Sequence, residues 1–181
     1  TIVDTCRDNK DKMDDCLAKI DVSAKHLLSL VNDVLDMTKL ERDTFTLESK
    51  PFNLDRVCIE AAEIVCFQAE SAGLHVEEEH PDVRNVNLLG SELYLKKILL
   101  NLFSNCIKYN KPGGAIYTRM RELEHTDDTV TYEFFIRDTG VGMTQDFIDN
   151  HLFEAFTQGD NAARSQYGGT GLGMSIVSQL V

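Results

Sequence analysis

Apolar residues recur near the start of the chain in alternating steps of four and three: Met13, Leu17, Ile20, Ala24, Leu27, Val31, Val34 and Thr38. That is a heptad seam, widened by Leu28 and Leu35, with Lys19, Asp21, Lys25, Asn32, Asp33 and Lys39 opposite. The pattern predicts one long helix of coiled-coil type. It has to bury the seam against a neighbouring helix or a second copy of itself, although a core helix of its own domain would show the same stripe. Asp8 to Lys12 is too charged to continue the seam, so Thr1 to Cys6 reads as the tail of an earlier helix.

Beyond Glu41-Arg42-Asp43 the periodicity changes, and Phe45-Thr46-Leu47-Glu48 reads as a short strand before Pro51 ends the connection. Asn53 is a candidate N-cap for a helix with apolar positions Leu54, Val57, Cys58, Ala61 and Val65, closed by Gly73. Leu74-His75-Val76 and Val86-Asn87-Leu88 are strand candidates around a turn at His80-Pro81-Asp82. Leu95 to Asn110 reads as a helix with Ile98, Leu99, Leu102, Cys106 and Ile107 on its apolar face, stopped by Pro112-Gly113-Gly114. Two longer strands follow, Ala115 to Glu124 and Thr129 to Asp138, joined at Thr126-Asp127-Asp128. In the second, Val130, Tyr132, Phe134 and Ile136 share a face by alternation, and Asp138 has the same parity. A carboxylate on that face points inward, which is costly unless something hydrogen-bonds to it; fraying at the strand end would turn it out to water instead. The expected architecture is α+β: a two-layer α/β sandwich, a mixed sheet with helices 53–72 and 92–109 on one face, preceded by the long helix. Two domains are expected, 1–43 and 44–181.

Composition narrows the function. A formal charge of −12 over 181 residues argues against non-specific nucleic-acid binding, which needs clustered Lys and Arg. No run of about 18 apolar residues is present and no signal-peptide pattern opens the chain, so the expectation is a soluble, cytoplasmic protein without a membrane segment of its own. The five cysteines lack CxxC spacing and fall mostly at helical positions, as free thiols in a reducing compartment do.

Candidate chemistry lies on the helix at 95–110. Asn101, Asn105 and Lys108 step by four and three and so stack on one face beside the apolar wall. Two amides and an ammonium in a row suit a magnesium-bound polyphosphate, because a side-chain carbonyl can complete the Mg²⁺ octahedron and Lys supplies a point charge. A buried helix whose asparagines cap local backbone would show the same spacing. Asp138-Thr139-Gly140-Val141-Gly142 puts two glycines directly after the inward acid, where a flat ligand could approach the backbone. Gly168 to Gly173 is a glycine-dense turn running into an apolar helix at Ser175 to Val181; a helix N-terminus of this kind favours phosphate. Neither box has phosphate-loop or dinucleotide-fold spacing. Phe153 and Phe156 precede a polar stretch, Gln158 to Tyr167, and two aromatics anchoring such a loop suggest a lid.

With these residues in place the chain resembles the catalytic part of sensor histidine kinases, within the gyrase, chaperone, kinase and mismatch-repair ATPase superfamily. Asn101, Asn105 and Lys108 match the N box, Asp138, Gly140 and Gly142 the first glycine box, Phe153 and Phe156 the F box, and Gly169, Gly171 and Gly173 the second glycine box. Residues 24–36 resemble the second helix of the dimerisation and phosphotransfer hairpin. The resemblance implies ATP and Mg²⁺ as ligands: Asp138 on the adenine amine, Asn105 on the metal, Asn101 and Lys108 near the phosphates as the catalytic pair, and Gly171 and Gly173 presenting amides. Tyr109, Gly140, Gly142, Gly169, Thr170 and Leu172 complete the binding set, with Arg164 a lid contact. It also implies transfer of the γ-phosphate to a His and onward to a response regulator receiver domain, in a homodimer built on the N-terminal helix.

Hydrolysing members of the superfamily carry Glu where Asn101 stands, and an amide cannot accept the proton of a water molecule. Departures from the family pattern are also clear. None of His26, His75, His80, His125 or His151 is followed by an acid, so the phosphoacceptor is expected on a helix outside these residues. The sheet is expected to be trimmed after Val181, and Ser91, Tyr94 and Asn110 stand where relatives commonly carry Asp, Arg and Thr. A non-catalytic dimerisation or regulatory module with a lapsed nucleotide site remains an alternative, as does a serine-protein kinase or ATPase of the same superfamily.

Overall fold

The computed structural model describes residues 10–40, 47–159 and 170–181, with the backbone only of Lys10, His26, His80, Pro81 and Asp82. Contacts divide the chain into two units, Thr1–Asp43 and Thr44–Val181. In the first, heptad spacing produces one unbroken helix, α1 (Lys10–Leu40). Its surface carries i,i+4 pairs in the favourable acid-first order, Asp15 with Lys19 and Asp21 with Lys25, each at 2.6 Å. Its seam stays accessible: Leu17, Ile20, Leu27 and Leu28 are 51–62% exposed.

The second unit runs β1 (Lys50–Asn53), α2 (Leu54–Ser71), β2 (His75–Asp82), β3 (Asn87–Gly90), α3 (Glu92–Lys108), β4 (Ala115–His125), β5 (Val130–Asp138), α4 (Gln145–Asn150) and α5 (Gly173–Leu180) among the described residues. Asn53 caps α2, its Oδ1 accepting from the Arg56 amide at 3.0 Å. The helix then buries Leu54, Val57, Ala61, Val65 and Ala69, one stripe at three- and four-residue spacing. Gly73, at φ +69°, lets the chain leave the helix in the left-handed region. Ala61, Val65 and Ala69 of this stripe meet Leu99, Phe103 and Cys106 of α3 and Ile116 of β4 in a single core cluster. Ile116 is wholly buried there, and truncating it to alanine would cost about 2–5 kcal/mol.

The sheet is mixed, as expected, but divided. β2, β4 and β5 form three strands in that order, β2–β4 parallel and β4–β5 antiparallel, while β1 and β3 pair separately as an antiparallel ribbon. Two local expectations need correction. Leu47, Glu48 and Ser49 are not in a strand; the strand comes at Lys50–Asn53 and contains Pro51, opposite Leu89. A ribbon pairs β1 on one side only, so the missing proline N–H need not remove a ladder bond. Residues 45 and 46 of the expected strand lie outside the described residues. The turn at His80-Pro81-Asp82 is instead the end of β2, an edge strand whose register shifts between Glu79 and Asp82, again where proline is tolerated.

Candidate functional site

Helical geometry brings Asn101, Asn105 and Lys108 onto one stripe of α3, each half-buried. The stripe is flanked by Leu99, Phe103 and Cys106, which bury the helix against the sheet. Asn101 Nδ2 is buried and has no hydrogen-bond partner among the described residues. Its Oδ1 lies 3.4 Å from where a Cβ on Gly173 would stand, so this amide packs against the first residue of α5. Lys108 turns its Nζ onto the Tyr109 hydroxyl at 2.9 Å, 4.6 Å from the centre of that ring.

Asp138 is the last residue of β5, directly opposite Ile116 in the ladder. It keeps the inward parity but not the expected burial: among the described residues Asp138 is exposed, at the point where the strand ends. Its carboxylate is nonetheless held. Oδ1 accepts from the Gly140 amide at 2.7 Å. Burial first, then the Asp138 charge and a hydrogen bond to that carboxylate, push the Cys106 thiol up to about 12. Gly140 is glycine for want of space, since a Cβ there would lie 2.3 Å from the Tyr109 carbonyl oxygen. That same oxygen accepts from the Val141 amide at 3.0 Å, which fastens the loop to the end of α3.

Beneath the loop is a polar knot. Asn110 is 6% exposed; its Oδ1 accepts from the Lys111 amide at 2.9 Å and the Thr139 hydroxyl at 3.1 Å, and its Nδ2 donates to the Ala115 carbonyl at 3.2 Å. The Ala115 amide in turn donates to Thr139 Oγ1 at 2.9 Å. Three elements are tied at one point: the end of α3, the start of β4 and the end of β5.

The second glycine box is shaped differently. Gly171 adopts φ +71°, and a Cβ on it would stand 2.8 Å from the Phe156 carbonyl carbon. Phe156, itself at φ +64°, donates its amide to the Gly171 carbonyl at 3.1 Å. The aromatic anchors expected at Phe153 and Phe156 are therefore not buried; they are 52% and 60% exposed, and the backbone does the fastening. The Leu172 amide donates to Thr170 Oγ1 at 3.1 Å, and Leu172 is wholly buried at the entry to α5.

A profile of the histidine kinase-, DNA gyrase B- and HSP90-like ATPase family matches residues 90–181, half of the chain. The chain belongs to this family. Among curated relatives, it is 37% identical over 167 residues to the sensor histidine kinase GacS of Pseudomonas protegens, covering 92% of this chain and 18% of that protein. Among solved structures, full-length ShkA in complex with AMPPNP aligns at 28% identity with a TM-score of 0.71, over 93% of this chain and 33% of that one. The histidine kinase ThkA in complex with the response regulator TrrA has the same fold at 17% identity and a TM-score of 0.60, over 83% of this chain and 44% of that one. The chain thus spans about a fifth of the curated relative it matches.

The family match covers α3, the Asp138 loop and the start of α5. Asn101 is brought to Gly173, and Asp138 to the C-terminal end of α3. Gly142 stands apart: it has φ +71°, and a Cβ on it would meet nothing within 4 Å among the described residues. Arg164 and Gly169 lie outside the described residues, as does most of the expected lid. Two residues of the site carry little signal in the sequence. Asn110 stood out in the sequence only as a departure from a usual Thr, and a polar residue between a helix end and Pro112-Gly113 was the available signal. Cys106 belongs to the core, as its helical spacing implies, and local spacing does not reveal that the Asp138 charge lies near it. The amide donors and glycine cradles fit a bound anion: Asn101 offers a buried N–H that lacks an acceptor among the described residues, next to the N-terminal end of a helix.

Proposed function

We propose that this chain is the ATP-binding catalytic portion of a two-component sensor histidine kinase. The observation that carries the reading is the buried Asn101 amide, without a partner among the described residues, beside Gly173 and on one stripe with Asn105 and Lys108. A buried donor left unsatisfied costs about 1–3 kcal/mol, and a phosphate oxygen would remove that cost. The opening amides of α5 add donors and a favourable dipole. Lys108 supplies positive charge once its Nζ leaves the Tyr109 hydroxyl. Asp138, with Oδ1 engaged by Gly140, offers its remaining acceptor capacity to the adenine amine. Among the described residues no group of three or more His, Cys, Asp or Glu could hold a metal ion. Mg²⁺ at Asn105 would thus take most of its positions from phosphate oxygens and water, its ordinary preference, and would neutralise charge on the phosphates.

Asn101 binds but cannot deprotonate water, which supports transfer to a protein acceptor over hydrolysis. The acceptor is a His outside this chain, since no histidine here precedes an acid. From there the phosphoryl group passes to a response regulator receiver domain; a fold neighbour solved with a response regulator supports that partner. The apolar seam of α1 supports a homodimer through that helix. No helix among the described residues is long and apolar enough to cross a membrane, and the catalytic portion works in the cytoplasm. The test is calorimetry of Mg-ATP on the chain and on Asp138→Asn. Loss of a charge-assisted bond should weaken binding by about tenfold or more with the fold intact, and equal affinity refutes the adenine contact. With labelled ATP the chain alone should acquire no phosphohistidine; a stable one on any of its five histidines overturns the external acceptor.

A further inference from the structure

We propose that Lys97 determines specificity for the third phosphate of the bound nucleotide, because it stands one turn beyond Asn101 on the ligand-facing stripe of α3. The inference rests on the reading of the site as one for ATP, and it follows from the direction in which a nucleotide would lie along the helix. The purine end belongs at the C-terminal end of α3. There Gly140, whose amide donates to Asp138 Oδ1 at 2.7 Å, packs on the Tyr109 carbonyl oxygen, and the Val141 amide donates to that oxygen at 3.0 Å. The phosphate end lies two turns back, where Asn101 packs against Gly173 and its buried Nδ2 has no partner among the described residues. From Tyr109 to Asn101 the helix rises by about 12 Å. The phosphates therefore run toward the N-terminal end of α3, and the outermost one lies nearest Asn101 and the turn before it.

That turn carries Lys97. Lys97, Asn101, Asn105 and Lys108 step by four, four and three, which keeps all four within one sector of the helix. Lys97 is half-buried, as the other three are, although lysine is ordinarily a solvated residue. Its neighbour Lys96 faces another way, its Nζ donating to Glu60 Oε2 of α2 at 2.7 Å. One lysine of the pair is thus engaged by a carboxylate of the adjacent helix, while the other extends the row of amides. In a chain of net charge −12, a cation at this place answers the extra charge that ATP carries and ADP does not. An ammonium on a flexible four-carbon stem suits a phosphate reached from one end of the row.

The experiment is calorimetry of Mg-ATP and Mg-ADP on the 181-residue chain and on Lys97→Gln, Lys97→Arg and Lys96→Gln. All three substitutions exchange one good helix former for another on a partly exposed face, so the fold survives them. Lys97→Gln should weaken ATP by about tenfold and ADP by less than about twofold, the loss of one charge-assisted contact. Lys97→Arg keeps the charge and should hold ATP to within about threefold. Lys96→Gln removes the same charge from the adjacent position and should change neither nucleotide by more than about twofold. Equal losses of ATP and ADP in Lys97→Gln overturn the role, as does undiminished ATP binding. A matching loss in Lys96→Gln also overturns it, since general charge rather than contact would then be at work. A parent chain that binds neither nucleotide refutes the ATP site itself. One that binds both, and keeps its ratio of ATP to ADP affinity in Lys97→Gln, refutes only the part given to Lys97.

Discussion

Gly140→Ala should be the most damaging glycine substitution in the Asp138 loop, for reasons of space rather than backbone angle. The added Cβ would lie 2.3 Å from the Tyr109 oxygen, 2.6 Å from Asp138 Oδ1 and 3.0 Å from the Tyr109 carbonyl carbon. Two of these are backbone atoms at the end of a packed helix and cannot rotate aside. The loop has to retreat by about an ångström to reach ordinary contact. That retreat breaks the Gly140 amide bond to Asp138 at 2.7 Å and the Val141 amide bond to Tyr109 at 3.0 Å. One bond to a charged acceptor and one neutral bond together are worth about 2–4 kcal/mol. Gly142→Ala is the internal control. It meets nothing within 4 Å and carries only the strain of φ +71°, about 1–2 kcal/mol. Urea unfolding followed by far-UV circular dichroism gives the stabilities, and Mg-ATP calorimetry gives the consequence for the site. Gly140→Ala should lose both stability and nucleotide affinity, the latter by about tenfold or more. If it costs no more than Gly142→Ala, the close packing of this loop on α3 is wrong.

Three further outcomes are expected. Asn110→Ala should lower stability by about 2 kcal/mol in urea, since two of its three bonds leave partners that water or Thr139 can only partly satisfy; a loss below about 0.5 kcal/mol would deny the knot its role. Glu122 accepts from the Arg84 and Asn85 amides at 2.9 and 3.0 Å, which hold its carboxyl at about 2 against an ordinary 4.5. The unfolded chain therefore binds the proton first, and the stability Glu122 adds is complete above about pH 4.5 and lost as pH falls toward 2. Unfolding midpoints across that range should flatten in Glu122→Gln, and an unchanged acid limb counts against it. If the proposed homodimer is built on the exposed α1 seam, the chain should sediment as a dimer and Leu27→Asp as a monomer; a monomeric parent chain or an unaltered sedimentation coefficient in the variant would refute that contact.

Much of this molecule was determined by the sequence alone, because periodicity is a local property. The spacing of Leu54, Val57, Ala61 and Val65 marked the buried face of α2, and alternation in β5 marked the side on which Asp138 ends. The Asn101, Asn105 and Lys108 stripe follows from helix geometry and needs no neighbour to be seen. Only the tertiary structure decided what those side chains meet. Pro51 could join a strand because β1 is paired on one side, which no local pattern records. That Asn101 faces Gly173, that Cys106 lies near Asp138 and that Asn110 accepts from Thr139 are contacts across 29 to 72 positions of chain. Such contacts depend on strand register and on how α3 packs against the sheet. Those are set by the whole core at once, so a reading of neighbours along the chain finds the groups but not their partners.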